Sequence, residues 1–157
     1  MRRRATAWLP LLIRLTALGY LAFFLPNLML AATDRISALP PLLGRLFGWG
    51  EGGRGDPAVG VMFSTVYIVW AIFLFRSARD PGANRLFLDF NLTANAAHFA
   101  VMLVMAVTMP GEHQHIAGVI ALGVISTVPL AACWLPVRSS KSVRLDDASR
   151  LGHRGPA

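Results

Sequence analysis

The sequence has one cysteine and few charged residues, and both shortages narrow the class of protein. The single Cys133 among 157 residues excludes an internal disulfide framework. Only 15% of the residues are charged, whereas ordinary soluble domains have about 25%, so the chain has too little charge to cover a water-exposed surface. Since 55% of the residues are apolar, a disordered chain is also excluded. The composition therefore predicts a small integral membrane protein.

The sequence also lacks the short motifs of common catalytic and cofactor sites. It contains no cysteine pair, no H-E-x-x-H zinc motif, no P-loop and no nucleophilic-serine motif. It shows no internal repeat of the kind found in secondary transporters. No complete motif indicates a cofactor, so the cofactors stay unknown, and the absence of a catalytic constellation favours a non-enzymatic protein.

Four long apolar segments make up most of the chain. A helix needs about 20 mainly apolar residues to cross a bilayer core of about 30 Å. Four segments have about this length: residues 8–33, 58–75, 86–109 and 116–136. The connections after the second and third are short, which is typical of antiparallel neighbours. Residues 1–137 are therefore predicted to form a single all-α domain, an up-down bundle of four transmembrane helices.

The first apolar segment also has features of a secretory signal, with arginines at positions 2–4 before it and L-A-A at positions 30–32 near its end. Its apolar run is longer than the about 7 to 15 residues of a signal core, and it includes Arg14. We expect an uncleaved first helix.

The basic residues are concentrated at one side of the predicted bundle. The ends of the helices on that side carry Arg2, Arg3, Arg4, Arg76, Arg79, Arg85, Arg138, Lys141, Arg144, Arg150 and Arg154. The opposite side has three arginines in the loop 34–57 and none in the turn 110–115. The positive-inside rule therefore predicts that both termini are cytoplasmic and that the loop 34–57 is extracytoplasmic. The polar, basic tail 138–157 is expected to be disordered.

The net charge of +7 also bears on the partners of the protein. Basic residues close to helix ends attract anionic lipid headgroups. They lack the interleaved aromatics and the fold signatures of nucleic-acid-binding proteins, so no nucleic-acid partner is expected. In the loop 34–57, apolar residues in a Gly-broken segment suit a piece that lies in the headgroup region, and a lid over an outward-facing site is the alternative.

Polar residues inside the apolar segments are the default candidates for function. Asn91, Asn95 and His98 share one face of the third helix, and Tyr67 lies in the second. His98 is about 18 Å from the start of its segment, near the bilayer midplane. Such a group is typical of a proton relay, a quinone site or a haem ligand, and the alternative is helix association through hydrogen bonds of about 1 kcal/mol each. A bis-His haem within the chain is disfavoured, because the other histidines before the tail, His113 and His115, lie at the outer turn, and the gap from His98 to His115 is about 15 to 18 Å along the axis.

Charged and metal-ligating residues give two further candidates. Arg14 and Asp89 have similar predicted depths and opposite charge, so they either pair between the first and third helices or extend separately to the interface. Glu112, His113 and His115 group a carboxylate and two imidazoles at the outer turn. They are possible zinc or copper ligands but weak candidates for a metal site, because a structural zinc site needs four ligands and a catalytic one needs three plus water.

The turn and helix motifs resemble a known family. Residues 78–81 (A-R-D-P) follow the second helix, and His98 lies in the third. This pattern resembles small uncharacterised bacterial four-helix integral membrane proteins, and the similarity covers residues 62–118. The resemblance implies four helices, the bacterial cytoplasmic (inner) membrane, and roles for His98 and His115. The sequence lacks the family's acidic residue near the start of the fourth helix and has Gly60 where a carboxylate is expected.

Together these patterns favour a non-enzymatic integral membrane protein that packs with another membrane subunit or with itself. The alternative is a membrane-embedded redox or lipid-modifying enzyme, or a quinone- or haem-binding protein, with a polar pocket around His98.

Overall fold

A computed structural model describes the backbone of residues 2–35 and 56–152 and the side chains of residues 7–35 and 56–138. In these ranges the chain is helical and contains no strand. The α-helices are α1 (Arg2–Ala32), α2 (Pro57–Ser77), α3 (Arg85–Thr108) and α4 (Ile116–Gly152). A 3-10 turn, Glu112–His115, comes before α4. All four α-helices contain a stretch long and apolar enough to cross a membrane, which confirms the predicted number and type of elements.

The helix bounds differ from the prediction mainly at the end of the chain. The sequence predicts that the fourth helix ends near residue 136 and is followed by a disordered tail, whereas α4 continues to Gly152. The physical reason is that residues 138–151 contain neither glycine nor proline, so no helix-breaking residue stops the backbone. Residues 36–55, which hold most of the predicted extracytoplasmic loop, and residues 153–157 lie outside the described part of the chain.

Local turn chemistry sets where α2 and α3 begin. The Asp56 carboxylate accepts a hydrogen bond from the Ala58 amide at 2.8 Å, and Pro57 occupies the first turn, where its missing N–H costs nothing. Between α2 and α3, Asp80 accepts from the Ala83 amide at 2.9 Å and its carbonyl accepts from the Asn84 side chain at 2.8 Å. These bonds close the A-R-D-P turn and return the chain in the opposite direction.

Two ends of the bundle can be defined from these connections. The proximal end holds the start of α1 and the α2–α3 turn, and the distal end holds the end of α3 and the 3-10 turn. Around the bundle the order is α2, α1, α4, α3, with α1 packed along α2 and α4, and α3 packed along α4. The backbones of α2 and α3 come close at few points, and aromatic rings such as Trp70 and Phe90 bridge the distance between them.

Small residues let the backbones approach where helices pack most closely. A Cβ on Gly60 of α2 would lie 3.1 Å from the Ala31 Cβ of α1, and a Cβ on Gly123 of α4 would lie 3.1 Å from the Phe99 ring of α3. Near the first contact, the buried Asn27 side chain donates to the Ser64 hydroxyl at 2.9 Å. Close backbone approach and an interhelical hydrogen bond are the two main ways in which membrane helices associate.

The core is narrow, and most of the apolar surface faces outward. One stripe of α1 is buried and includes Leu9, Ile13, Ala17 and Tyr20. In the apolar windows of the four spans only 28%, 22%, 22% and 11% of the residues are buried, in chain order. Large exposed side chains such as Val66, Val104 and Ile125 cover the outside. A water-exposed surface of this kind is strongly disfavoured, whereas hydrocarbon tolerates it without cost.

Gly60→Leu tests the close contact between α1 and α2. The larger side chain would press into the Ala31 side of α1, so we expect the free energy of unfolding to fall by about 1 to 3 kcal/mol. The control is Gly19→Leu, because a Cβ on Gly19 meets nothing within 4 Å. Thermal unfolding in detergent, followed by circular dichroism, should show a lower midpoint for the first variant only. Equal midpoints for both variants would contradict the packing described.

Candidate functional site

The two asparagines of α3 are buried and bonded to each other. Asn91 and Asn95 lie one turn apart and are 1% and 2% exposed. The Asn95 amide donates to the Asn91 main-chain carbonyl at 2.7 Å and to its side-chain oxygen at 3.3 Å. The pair therefore satisfies part of its hydrogen-bonding capacity within α3 and keeps its remaining groups in the interior of the bundle.

His98 stands one turn further along α3, where α3 faces α2. Its ring is half-buried, with centroids 5.2 Å from Phe63 and 6.0 Å from Tyr67, both on α2. The adjacent Phe99 ring is 5.5 Å away. The four polar residues predicted from the sequence thus form two neighbouring sets, Asn91 with Asn95 and Tyr67 with His98.

A continuous set of rings lies beside these polar groups. The Tyr67 ring stacks on Phe24 of α1 at 4.2 Å and on Trp70 at 5.2 Å, and Trp70 stacks on Phe90 of α3 at 5.1 Å. We call the surface between α2 and α3 the aromatic groove; its residues are Phe63, Tyr67, Trp70, Phe90 and His98. Phe63 is 38% and Phe90 is 55% exposed, so the groove opens toward the outside of the bundle.

Two hydrogen-bond donors at this groove have no partner among the described residues. They are the Tyr20 hydroxyl and the Trp70 indole Nε1. Tyr20 is 7% exposed, its ring is 5.2 Å from Tyr67 and 6.4 Å from Trp70, and its hydroxyl lies next to the Asn95 side chain. Buried polar groups are nearly always bonded, so each orphaned donor marks a place where an acceptor belongs.

Neither Tyr20 nor Trp70 was a candidate in the sequence analysis. Hydropathy treats tyrosine and tryptophan as apolar, and both residues lie in long apolar segments. The available signal was the scarcity of tyrosine, since the chain contains two, at positions 20 and 67. Buried tyrosine and tryptophan usually need a partner for their polar atom, and this rule would have placed Tyr20 with Tyr67 among the candidates.

Asp89 forms its polar contacts with α4. Its carboxylate accepts from the Trp134 indole at 2.8 Å and lies 3.3 Å from the Arg138 guanidinium. Arg85 donates to the Arg138 carbonyl at 2.8 Å. These contacts fasten α3 to α4 at the proximal end, and the buried Trp134 ring extends the attachment into the core.

The predicted pairing of Arg14 with Asp89 is not formed. Arg14 is exposed, because it follows Ile13 and lies about 100° around α1 from the buried stripe. Similar depth along the axis is therefore not sufficient for contact, since the two side chains must also face each other. Asp89 finds Arg138 instead, a residue that the sequence analysis had assigned only to the basic side of the bundle.

The outer turn does not assemble the three suggested metal ligands. Glu112 and His115 are both buried, and the His115 Nε2 lies 3.1 Å from a Glu112 carboxylate oxygen. His113 is exposed. Among the described residues no group of three histidine, cysteine or acidic side chains is arranged to hold a metal ion. The Glu112–His115 pair instead links the two ends of the 3-10 turn.

Comparison with known proteins gives one match. The profile of DUF6632, a family of unknown function, matches residues 36–154, which is more than half of the chain. Curated proteins and solved structures gave no match. The similarity to an uncharacterised family is thereby confirmed, while the bacterial origin and the A-R-D-P turn as a family feature stay predictions.

Asp89→Ala tests the attachment of α3 to α4. The substitution leaves the buried Trp134 indole N–H without an acceptor, so we expect a loss of about 1 to 3 kcal/mol in the free energy of unfolding. Arg14→Ala serves as the control and should change the unfolding free energy by less than about 0.5 kcal/mol, as is usual for an exposed side chain. Both values can be taken from denaturant titrations of the detergent-solubilised protein. A comparable loss of unfolding free energy in the two variants would contradict this attachment and would instead support a pairing of Arg14 with Asp89.

Proposed function

Because the chain belongs to DUF6632, a family of unknown function, its role has to come from its own geometry, and we propose a non-enzymatic integral membrane protein. In this proposal it packs as a subunit or accessory protein against other membrane helices or a second copy of itself. The observation that carries the proposal is that buried polar side chains form hydrogen bonds between helices. Asn27 with Ser64, and Asp89 with Trp134, join helices to one another.

The exposed surface of α4 supports a packing role. Its apolar window is the least covered of the four spans, with 11% of the residues buried. Ala117, Ala121, Val124 and Val128 are exposed and follow one another at helical spacing. Small residues four apart allow a neighbouring helix to approach closely in a bilayer. We define these four residues as the α4 packing face and infer that another membrane helix lies against it.

Orientation in the bacterial cytoplasmic membrane follows from the basic side chains of the described residues. Arg76, Arg79, Arg85 and Arg138 lie at the proximal end, whereas Arg35 is the one basic side chain described at the distal end apart from histidines. Lys and Arg are retained on the cytoplasmic side during insertion. We therefore propose that both termini are cytoplasmic and that the proximal arginines contact anionic lipid headgroups.

The aromatic groove supports a second candidate function, the binding of a small hydrophobic molecule. Its support is a pair of enclosed donors, Tyr20 Oη and Trp70 Nε1, whose rings both contact Tyr67, the neighbour of His98. A redox or lipid-modifying enzyme and a haem protein belong to the same alternative. Of these, haem has the least support, because His98 has no second imidazole at its depth within the described spans.

Ala121→Phe tests the packing role. The ring would hold a neighbouring helix away from the α4 packing face, and we expect the association constant to fall by about fivefold, equivalent to about 1 kcal/mol of helix packing. Ala22→Phe is the matched control, because Ala22 is exposed on α1. The measurement is native mass spectrometry from nanodiscs, with cross-linking in the native membrane. Solitary monomers of the unmodified protein in both experiments would refute the proposal.

A further inference from the structure

We propose that the proximal contact between α3 and α4 binds one anionic phospholipid, with Arg85 and Arg138 holding its phosphodiester group. We call this contact the α3–α4 seam; its residues are Arg85, Asp89, Trp134 and Arg138. The inference rests on the proposed contact of the proximal arginines with anionic headgroups, and it gives that contact a defined site and a lipid class. The class is a phospholipid with one phosphodiester and an uncharged polar head, as in phosphatidylglycerol.

The first argument concerns depth. Arg85 is the first residue of the third candidate span, and Arg138 is the last residue of the fourth. The Arg85 Nη2 donates to the Arg138 main-chain carbonyl at 2.8 Å, so the two residues meet across the seam. Helix α3 has 24 residues and is therefore about 36 Å long. This length exceeds the hydrocarbon core of about 30 Å, so in a membrane the ends of α3 reach the level of the lipid phosphates.

The second argument concerns charge. The Asp89 Oδ1 lies 3.3 Å from the Arg138 Nη1 and also accepts from the Trp134 indole at 2.8 Å. Asp89 therefore compensates the charge of Arg138. The described hydrogen bond of Arg85 goes to a neutral carbonyl instead. Two guanidinium groups and one carboxylate give the seam a net charge of one positive unit, which a single phosphodiester neutralises.

The third argument concerns hydrogen bonding. A guanidinium has five N–H donors and no acceptor. In the contacts given above, each arginine uses one nitrogen, Nη2 of Arg85 and Nη1 of Arg138. The Arg138 side chain is 48% exposed, so its other donors are accessible from outside the bundle. Guanidinium groups bind phosphate oxygens in bidentate pairs. A neutral hydroxyl or carbonyl would accept the same hydrogen bonds but would leave the positive charge uncompensated.

The fourth argument concerns the head group. The ammonium of a zwitterionic phospholipid needs an anionic partner. Both acidic side chains described at the proximal end are engaged, since Asp89 binds Arg138 and Asp80 closes the turn between α2 and α3. Arg76 and Arg79 are exposed at the same end and would repel a further positive charge. The seam is accordingly selective for a head group that has no ammonium.

The fifth argument concerns the acyl chains. Asp89 faces α4, and Thr93, Ala96 and Ala100 continue from it along the same side of α3 toward the middle of the span. All three are exposed, and their small side chains let an acyl chain lie close to the helix. A soluble phosphate ion has no chain to place there. The occupant is therefore a phospholipid.

The test measures which lipids the full chain retains in mild detergent, by native mass spectrometry. The protein receives equal amounts of phosphatidylglycerol and phosphatidylethanolamine with the same acyl chains. We expect one phosphatidylglycerol per chain, retained about tenfold more than phosphatidylethanolamine. Glycerol 3-phosphate, which has a phosphate and no acyl chain, should not compete at the same concentration. Equal retention of the two lipids would overturn the proposal, and so would competition by glycerol 3-phosphate.

Arg85→Gln isolates the uncompensated charge of the seam. It leaves the contact of Asp89 with Arg138 in place, so retention of phosphatidylglycerol should fall by about tenfold. Arg79→Gln is the matched control, because it removes the same charge from the turn at the same end. Its retention should change by less than about twofold. Arg85→Lys keeps the charge without the planar fork and should give an intermediate loss.

Circular dichroism checks that these variants fold, and the lipid competition on the unmodified chain decides the proposal if Arg85→Gln does not. Equal losses in Arg85→Gln and Arg79→Gln would overturn the site but would leave the general contact of arginines with anionic headgroups intact. Retention without any preference for phosphatidylglycerol would remove both. The same spectra report the assembly state, so the packing role stands or fails independently.

Discussion

The hydrogen-bonding constraint of the proposed membrane environment explains most features of this bundle. A bilayer core offers no partner to a polar group, so backbone groups pair within helices and side-chain polar groups must find partners in the protein. Several hydroxyls do so within their own helix: Thr16, Thr65, Thr108 and Ser126 donate to the carbonyl four residues earlier. The remaining polar side chains decide how the helices associate.

These side chains join the helices in two pairs. Asn27 and Ser64 connect α1 to α2, and Asp89 with Trp134 and Arg138 connects α3 to α4. Between α2 and α3 the connection consists of rings rather than close backbones. Among neighbouring helices, the pair whose backbones come close at the fewest points is thus the one that contains the aromatic groove, because large rings rather than small residues fill the space between α2 and α3.

The number of helices and most of their bounds could be predicted because hydropathy and span length depend on local sequence alone. The neighbour relations could not, since they depend on which face each residue occupies. Short links predicted that α2 and α3 would pack closely, but Trp70 and Phe90 are too large for that. The same limitation applies to the partner of Asp89. Its predicted depth in the membrane suggested a pair with Arg14, whereas the residues that face it are Trp134 and Arg138. Asn91 and Asn95 could be predicted because their helical spacing places them on one face of α3, and that face is buried. The polar atoms of Tyr20 and Trp70 could not, because hydropathy counts both residues as apolar.

The central claim is that four helices span the membrane with the proximal end in the cytoplasm. Impermeant maleimide labelling of single cysteines, in a Cys133→Ala background, tests it most directly. The exposed positions Arg79, His113 and Val66 represent the proximal end, the distal end and the outer face of a span. In intact bacterial cells carrying the protein in the cytoplasmic membrane, with the outer membrane made permeable, we predict labelling of His113→Cys alone. Arg79→Cys should react only after the inner membrane is opened, and Val66→Cys should not react in either state. Labelling of Val66→Cys, or of Arg79→Cys before the inner membrane is opened, would contradict the account.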